Sequence, residues 1–405
     1  MSKKKIVVFG PGPVFKGGMA NYTLSLAKAI DRLPETETHI VSWTQQYPAI
    51  IPRDFIDRSS SADKLAGSNV KLHYLCNYNN PLSWRKTADA IKAINPAMVI
   101  IQWSVAVQGL PLGYIVRCLK EESSIEIVFD LHFVIQKEQS AIDRMFSKYG
   151  LGSADTYVVH AYKTVEELST LFPDRRFAVN ETGKRSQTEE TTVIKLYHPV
   201  YDMFKPDPNF DVEAFKKKFG LKKHVFLFFG FIRKYKGLHF CIDAFAELAQ
   251  KRDDVSLLIV GESFWQTLDQ SKFSTRVKNF VFGMAKSLLV KKTDDERDYN
   301  PLAKIEALGL KDKTAVVNDF VANEDVHKYF QVSDSILLFY EYATPSGVES
   351  MAYNFRIPVL AARVGHFPET IRDGFNGYLA DAADTHSMAE AMQHSLDNPI
   401  DRNNV

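Results

Sequence analysis

Short apolar runs alternate with amphipathic segments along most of the chain. Ile6–Phe9 has the length of a buried strand, and Ala20–Leu33 carries apolar residues at helical spacing. Because strands that alternate with helices form parallel sheets covered on both faces, the pattern predicts an α/β fold. Further strands are predicted at His39–Trp43, Val70–Tyr74, Met98–Gln102, Ile125–Phe129, Thr156–Val159, Val225–Phe229, Ser256–Val260, Thr314–Asn318, Ser335–Tyr340 and Val359–Ala362. Further helices are predicted at Ser83–Ile94, Leu110–Lys120, Ile142–Tyr149, Thr164–Leu171, Leu238–Arg252, Glu324–Gln331, Gly347–Phe355 and Ser387–Leu396.

The alternation occurs in two sets, which predicts two domains. A chain of 405 residues is too long for one ordinary core. The first set ends in a polar stretch, Glu181–Thr192, and the Pro-rich segment Lys205–Pro208 follows. A second set begins at Val225. We therefore expect two Rossmann-like, doubly wound domains, comprising residues 1–204 and 205–405.

The composition of the chain indicates which binding partners and which cellular compartment to expect. The formal net charge of +1 gives no global field that favours nucleic acid, so we expect no nucleic-acid partner. Three widely spaced cysteines without metal spacing are typical of free thiols in a reducing compartment. With no signal peptide and no apolar run long enough to span a membrane, these features predict a cytoplasmic protein. Phe280–Lys292 is apolar with basic residues, which is consistent with a core helix or with peripheral contact at a membrane surface.

The loop after the first predicted strand, Gly10–Gly18, is rich in Gly and Pro. It does not match the dinucleotide fingerprint G-x-G-x-x-G, because Phe15 occupies a position that requires glycine, so NAD binding is disfavoured. Gly17 and Gly18 at a helix start would still let a phosphate or sugar approach the backbone closely. The alternative is a plain strand-to-helix turn.

His132 follows Asp130 at the carboxyl end of a predicted strand. Ligands of open α/β sheets lie at this end of the strands. A histidine there can bind a hydroxyl group or stabilise charge at a reacting centre. The alternative is a histidine that only stabilises the fold.

Three cations, Arg233, Lys234 and Lys236, follow the apolar strand Val225–Phe229. Cations at a strand's carboxyl end suit a diphosphate, whose negative charge must be stabilised when it leaves. The alternative is a set of solvated loop charges. Because no apolar-flanked Asp-x-Asp occurs, we expect the site to work without a metal ion.

A polar turn containing Thr344, Ser346 and Gly347 precedes a predicted helix. The free backbone N–H groups and the positive dipole end of such a helix form a site suited to a diphosphate.

Together these segments resemble glycosyltransferase family 4, the retaining enzymes of the GT-B fold, over most of the chain. The GT-B fold has two Rossmann-like domains with an interdomain cleft. The matching segments, in order, are Gly17–Thr23, Asp130–His132, His198–Phe204, Gly230–Gly237, Leu257–Glu262, Asn318–Val321 and Thr344–Glu369.

The resemblance implies roles for residues in both domains. The nucleotide sugar would bind mainly to the second domain, with Arg233 and Lys236 on the diphosphate and the backbone near Val321 on the nucleobase. The helix-start residues that would also contact this donor are Thr344, Ser346, Gly347 and Val348. Gly18 and His132 would line the catalytic face of the first, acceptor-binding domain, and Gly17 is predicted to contact the nucleotide sugar.

The chain departs from the family pattern at two places. Phe231 stands where an Arg is usual, directly after Gly230. The family's paired glutamates, Glu-x7-Glu, match Glu341 and Glu349 by spacing, which would make Glu341 catalytic and Glu349 a donor contact. Counting back from Pro358 instead places the pair on Ala343 and Met351, a register that resembles a subgroup with Thr-x-Ser-Gly-Val at this turn. Both registers cannot hold, because positions 349 and 351 point about 200° apart on a helix.

The resemblance implies a retaining, metal-free transfer of a sugar from a nucleoside-diphosphate sugar to a glycan or lipid-linked acceptor. The acceptor hydroxyl would attack from the face that the diphosphate leaves, and the diphosphate would help to remove the proton. One alternative is an epimerase or phosphorylase of the same architecture. Another is a catalytically inactive scaffold or partner of a second transferase.

Overall fold

The computed structural model describes residues 3–48, 55–59, 63–121, 124–134, 141–263 and 299–405. These residues divide into two compact units, one that runs to Tyr197 and one that begins at His198. Phe280–Lys292, predicted as a core helix or a membrane contact, lies outside the described residues. Among the helices of the described ranges, none combines the length and the apolar composition needed to span a bilayer.

The first unit is built on a parallel sheet of eight strands in the order β3-β2-β1-β4-β5-β6-β8-β7. All of its strand pairs are parallel. Central strands such as β1 are apolar on both faces, because helices cover both sides of the sheet. The strands are β1 Lys4–Phe9, β2 Thr36–Gln45, β3 Lys71–Asn77, β4 Met98–Trp103, β5 Glu126–Leu131, β6 Thr156–Val159, β7 Phe177–Asn180 and β8 Thr191–Lys195.

Helices α1 Gly18–Asp31, α2 Pro81–Ile94, α3 Gly109–Lys120, α4 Ala141–Leu151 and α5 Tyr162–Leu171 accompany this sheet. Two glycines allow α3 and α4 to pack closely over the buried Trp103 ring. A Cβ on Gly150 would lie 2.6 Å from that ring, and a Cβ on Gly109 would lie 2.1 Å from the carbonyl oxygen of Phe146. The backbones of α3 and α4 are therefore in direct contact, and this contact fixes how the two helices pack on Trp103 of β4.

The second unit contains a parallel sheet of six strands in the order β11-β10-β9-β12-β13-β14. Its strands are β9 His224–Phe229, β10 Val255–Val260, β11 Thr314–Val317, β12 Ser335–Leu338, β13 Val359–Ala362 and β14 Gly377–Ala380. Its helices are α6 Val212–Phe219, α7 Leu238–Lys251, α8 Ala303–Ala307, α9 Val326–Gln331, α10 Gly347–Asn354, α11 Phe367–Thr370 and α12 Thr385–Asp397. Every residue of β10 is buried, as expected for a strand covered on both faces.

The prediction of two doubly wound α/β domains is confirmed by these two parallel sheets. The structural division falls between Tyr197 and His198, whereas the sequence placed the boundary after Phe204. The difference arises because the intervening segment packs on α10. Nδ1 of His198 lies 2.8 Å from Oγ of Ser350, and the side chain of Asn354 donates to the carbonyl oxygen of Tyr201.

The close contact of α3 and α4 gives a test of the packing. We expect Gly109→Ala to lower the free energy of unfolding by about 1–3 kcal/mol, because the new methyl group overlaps backbone that cannot move independently. Gly18→Ala is the matched control, since its methyl group would meet nothing within 4 Å. It should leave stability unchanged or raise it by about 0.5–1 kcal/mol. Urea unfolding followed by circular dichroism measures both, and equal midpoints for the two variants would contradict this packing.

Candidate active site

In the second unit, the predicted site residues lie where parallel strands end. The loop after β9 carries the predicted cations, and the segment after β12 leads into α10. In parallel α/β sheets the carboxyl ends of the strands form the ligand-binding edge. The residues around these two connections therefore define the candidate site.

The backbone of the loop after β9 is held by close contacts. Gly230 has φ 99°, and a Cβ on Gly261, at the end of β10, would lie 2.0 Å from the Gly230 carbonyl oxygen. Gly237, at φ 64°, passes so close to Phe339 that a Cβ would lie 1.9 Å from its carbonyl oxygen. Only glycine fits these positions. These close glycine contacts thus fix the course of the loop after β9.

Lys236 lies in the single 3₁₀ turn of this loop, Lys234–Lys236, and its side chain is buried. Its ammonium rests against Gly230, where an added Cβ would be 2.8 Å from Nζ. No described residue provides a carboxylate or a hydrogen-bond acceptor for it. Burial, with a smaller contribution from the charge of Arg233, lowers the pKa of Lys236 to about 8. A buried cation that no carboxylate neutralises can bind an anion.

Arg233 begins the same turn and supplies a second cation. Its guanidinium carbon lies 5.5 Å from the centre of the Tyr235 ring. The backbone N–H of Glu341 donates to the Tyr235 carbonyl oxygen at 2.7 Å, which ties the loop to the segment after β12. The two predicted diphosphate ligands are therefore close enough for the charge of Arg233 to act on Lys236.

The first turn of α10 lies against Gly230, as the Lys236 ammonium does. Ser346 is the N-cap, and its Oγ accepts a hydrogen bond from the N–H of Val348 at 3.3 Å. Val348 also lies against Gly230, with Cγ2 3.6 Å from the position of an added Cβ. A Cβ on Gly347 would lie 2.8 Å from the Tyr201 hydroxyl, so the first turn needs glycine. Thr344 is half-buried in the turn just before this cap. The predicted helix start and the predicted cation Lys236 thus converge at Gly230.

Glu349 is buried in the first turn of α10, where three protein donors occupy its carboxylate. Oε1 accepts from the hydroxyls of Tyr353 at 2.8 Å and Thr370 at 2.6 Å, and Oε2 lies 2.6 Å from Nε2 of His366. Burial alone would raise the pKa of Glu349, but these hydrogen bonds, led by that from His366, lower it below its usual value. A donor ribose would have to compete with these three groups, so a donor contact by Glu349 stays a prediction.

The two glutamates with Glu-x7-Glu spacing have different partners. Glu341 is 20% exposed, and its Oε1 lies 3.8 Å from Nε2 of His239. Burial, together with the charge of Lys304, lowers the pKa of His239. In the other register, Ala343 and Met351 are both buried. The catalytic role predicted for Glu341 therefore rests on its position beside the cationic loop.

Phe231, at the position where the family that the sequence resembles usually has an Arg, forms an aromatic pair. The Phe231 ring stacks on the Phe320 ring, with centres 6.1 Å apart and planes inclined by 28°. Phe320 precedes Val321, the predicted nucleobase contact, after β11. This pair was not predicted from the sequence, although Phe231 lies two residues beyond β9 and Phe320 lies three residues beyond β11.

The first unit carries its own candidate residues at the carboxyl ends of β1 and β5. Gly17, at φ 98°, is the N-cap of α1. A Cβ on Gly18 would meet nothing within 4 Å, so space is open beside the helix start. His132 is buried after β5, and Nε2 lies 2.9 Å from Oε1 of Gln102. Burial lowers the pKa of His132 to about 4.

A buried polar network surrounds His132. Asp130 receives hydrogen bonds from Nε2 of His160 at 2.9 Å and Nε2 of Gln102 at 3.3 Å. The edge of the Tyr22 ring packs on His132, with ring centres 4.5 Å apart. The sequence pattern identified only His132. In the sequence, the other members of this network are marked only as polar residues, three of them near a strand end and Tyr22 in the first helix.

The comparisons with known proteins concern both units. Residues 209–405 match the family model described as glycosyl transferases group 1. The chain is 24% identical over 227 residues to alpha-D-kanosaminyltransferase of Streptomyces kanamyceticus, a match that covers 55% of this chain and 50% of that protein. The chain thus spans about half the length of this curated relative.

Solved structures resemble nearly the whole chain. HepE of Anabaena, in complex with UDP and glucose, has a TM-score of 0.64 at 14% identity, covering 98% of this chain and 90% of its own. Sucrose-phosphate synthase of Thermosynechococcus elongatus has a TM-score of 0.62 at 16% identity, with coverage of 98% and 90%. At this level of identity the likeness shows the fold, and the predicted GT-B fold is confirmed.

The Glu349 cluster predicts a stability effect. Glu349→Gln should lower the free energy of unfolding by about 1–3 kcal/mol, because the amide is uncharged and puts an NH₂ donor in place of one of the two acceptor oxygens. The pKa of Glu349 is lower in the folded state, so its contribution is present above the unfolded pKa and is lost as the pH falls through the folded pKa. The variant should therefore destabilise less at acid pH than at pH 7, by urea unfolding. Glu306→Gln, on an exposed side chain, is the control and should change stability by under about 0.5 kcal/mol. An equally small effect of Glu349→Gln would contradict the cluster's role.

Proposed function

We propose that this protein is a retaining, metal-independent glycosyltransferase that moves a sugar from a nucleoside-diphosphate sugar to a glycan or lipid-linked acceptor. The observation that carries the proposal is the buried ammonium of Lys236. It lies against Gly230 beside the N-terminus of α10, and no described residue neutralises it. A buried ammonium beside a helix N-terminus is a site that suits the charge of a diphosphate.

The proposed donor site uses cations and N–H groups in place of a metal. Arg233 and Lys236 would contact the diphosphate, and the N–H groups of Ser346, Gly347 and Val348 would point at it from the helix start. As the sugar leaves, charge develops on the diphosphate, and fixed cations in a buried site stabilise it best. The family-model match over residues 209–405 supports a donor domain here.

The nucleobase would lie at the Phe320–Val321 segment. Stacked Phe231 and Phe320 provide an apolar surface next to the backbone that would face the base. HepE, which this chain resembles in fold, was crystallised with UDP and glucose, so UDP is the first nucleotide to test with this chain.

In the first domain, we propose that Gly17, Gly18 and His132 face the reacting sugar and the acceptor. The acceptor hydroxyl would attack on the face that the diphosphate leaves, and a diphosphate oxygen would take its proton. Glu341 is the second candidate for a catalytic contact. We further propose a cytoplasmic protein that meets a lipid-linked acceptor by peripheral contact with the membrane.

A catalytically inactive scaffold is the second candidate function. Two observations favour it, namely that Phe231 replaces a cation and that protein donors occupy the Glu349 carboxylate. Binding of UDP without hydrolysis or transfer from any UDP-sugar tested would favour the scaffold function.

The donor site predicts which cations matter. Lys236→Met, which retains the side-chain volume, should weaken UDP binding by about 10- to 100-fold, because a charge-assisted hydrogen bond is lost. Arg233→Ala should have an effect of similar size. Isothermal titration calorimetry at pH 7 in the presence of EDTA measures both. Lys222→Met, on an exposed lysine of the same unit, is the control. Affinities like that of the unchanged protein in both site variants would contradict the proposed diphosphate contacts.

The lowered pKa of Lys236 predicts a pH dependence of binding. Below about pH 8 the ammonium is charged and binds the diphosphate, whereas above it the free protein must take up a proton to bind. We expect the UDP affinity to fall by up to about tenfold per pH unit from pH 8 to 9.5, since one proton is taken up. Calorimetry over pH 7–9.5 measures this, and Lys236→Met should flatten the profile. A flat profile in the unchanged protein would show that Lys236 is not a ligand.

A further inference from the structure

The stretch Lys216–Lys223 of the second unit is strongly cationic. Its eight residues include no Asp or Glu and contain five lysines, at positions 216, 217, 218, 222 and 223. The first three belong to the last turn of α6, and the other two precede β9. The C-terminal end of a helix carries about half a negative charge, which a single lysine already balances. The charge of residues 216–223, which we name the lysine surface, therefore exceeds what the helix end accounts for.

A tight reversal of the chain brings the two groups of lysines to the same end of α6. Gly220, at φ 65°, ends the helix, and the backbone N–H of Leu221 donates to the Lys216 carbonyl oxygen at 2.9 Å. Beyond the turn, Nζ of Lys216 donates to the Lys223 carbonyl oxygen at 2.9 Å. The five cations therefore lie around a single reversal of the backbone.

The charge of the lysine surface is not neutralised within the part of the chain that the structure describes. No described carboxylate forms an ion pair with any of the five lysines, and four of them are exposed, namely Lys217, Lys218, Lys222 and Lys223. Acids near the start of β10 are bound by other cations. The guanidinium of Arg252 lies 2.8 Å from Oδ2 of Asp254. A hydrogen bond from Lys313 lowers the pKa of Asp253, and the charge of Lys222 adds a smaller effect.

Helix α6 lies at the surface and is amphipathic. None of its residues is fully buried, and its inner face packs through Phe215 on Tyr329 of α9, with ring centres 5.6 Å apart. Phe219 and Leu221 are half-buried among the lysines. The acidic residue Glu213 lies in the first turn, at the opposite end of the helix. The lysine surface thus combines exposed cations with apolar side chains.

An array of this kind fits the anionic surface of a lipid bilayer. Clusters of four to eight basic residues on an amphipathic helix are attracted to anionic lipids. All five cations are lysines, which act as point charges, whereas Arg is the residue that grips individual phosphates with two parallel hydrogen bonds. Half-buried apolar side chains can enter a lipid interface, whereas surfaces that bind nucleic acid are more polar. These features together favour a membrane over a nucleic acid.

We propose that the lysine surface binds the anionic surface of a lipid bilayer. It precedes the amino end of β9, whereas the candidate active site of this unit lies at the carboxyl end. The six residues of β9 separate these ends by about 20 Å, so we expect lipid and UDP to bind independently. The inference gives a location to the peripheral membrane contact proposed above and rests on it for its biological meaning, whereas lipid binding itself does not require sugar transfer.

Co-sedimentation of the full-length protein with vesicles tests the proposal. One set of vesicles is phosphatidylcholine alone, and the other is equal parts phosphatidylcholine and phosphatidylglycerol. Each lysine near an anionic surface strengthens binding about fivefold, so four exposed lysines should favour the anionic vesicles by roughly several hundred-fold at low salt. Salt at about 0.5 M should remove most of this preference, because it screens exposed charges. Equal binding to the two sets of vesicles would overturn the proposal.

Two double variants locate the contact. Lys217→Gln combined with Lys222→Gln should weaken binding to the anionic vesicles about 25-fold, whereas Arg at both positions should retain it, because the charge is kept. Lys86→Gln combined with Lys163→Gln is the matched control, since it removes the same charge from exposed helical lysines of the first unit. It should change binding by less than about twofold. Equal losses in the two Gln double variants would show that net charge, rather than the lysine surface, attracts the lipid.

Other anions give outcomes that would contradict a membrane contact. Inorganic phosphate should displace the protein from anionic vesicles no more than chloride does at the same ionic strength. Stronger displacement by phosphate would identify a phosphate site in place of a membrane contact. Duplex DNA that binds as tightly as the anionic vesicles, and loses binding in the Lys217→Gln, Lys222→Gln variant, would assign the surface to nucleic acid instead.

Calorimetry with UDP separates this inference from the proposed function. The Lys217→Gln, Lys222→Gln variant should bind UDP with the affinity of the unchanged protein, since both lysines lie away from the candidate active site. If the unchanged protein binds anionic vesicles but neither binds UDP nor transfers sugar, the proposed function fails and the membrane contact is supported. If it transfers sugar but shows no preference for anionic vesicles, the inference fails and the proposed function is supported.

Discussion

Parallel strands place all of their carboxyl ends on one edge of a sheet, and both units depend on this constraint. In the first unit it brings Gln102, Asp130 and His160 together although they are separated by about thirty residues at each step. In the second unit it brings the loop after β9 to the start of α10 at Gly230. The residues that carry chemistry are therefore distant in sequence and adjacent in space, as the geometry of doubly wound sheets requires.

Buried charges in this protein are of two kinds. In the first, Asp130 is surrounded by donors, so its charge is compensated within the protein. Glu349 in the second unit is compensated in the same manner, by His366 and two hydroxyls. Lys236 is the contrast, because its ammonium is buried and the described residues leave it uncompensated. A compensated buried charge stabilises a fold, whereas an uncompensated one is costly unless something binds to it.

Much of the fold could be predicted from the sequence because buried parallel strands are continuous apolar runs. The strands at Val225–Phe229 and Ser256–Val260 differ from the observed β9 and β10 by one residue at most. Three strands were missed, namely β8, whose start overlaps the predicted polar stretch Glu181–Thr192, and the edge strands β7 and β14. Phe177–Asn180 is not fully buried at any position, and Gly377–Ala380 is short and begins with glycine, so neither shows an apolar run. Edge strands are covered on fewer sides and so carry weaker patterns.

Residues of the candidate site could be proposed from the sequence only where the residue type alone suggests the chemistry. Cations after a strand, and a helix that starts with Ser-Gly, suggest anion binding without knowledge of their surroundings. The structure brings Lys236, Ser346 and Val348 together. The partners of His132 and Glu349 were not predictable. A glutamine on one strand and a histidine on another have no shared spacing, and their contact follows from sheet order and register.

The glycine contacts at the ends of β9 and β10 have a consequence for engineering. Because the carbonyl oxygen of Gly230 lies where a Cβ on Gly261 would be, and Gly237 passes equally close to Phe339, the path of this loop cannot be altered by substitution at these glycines. Its side chains are under no such restriction. A library that randomises Phe231 and the Phe320 ring stacked on it, while retaining the three glycines, would therefore vary the side chains of the candidate site on an unchanged backbone.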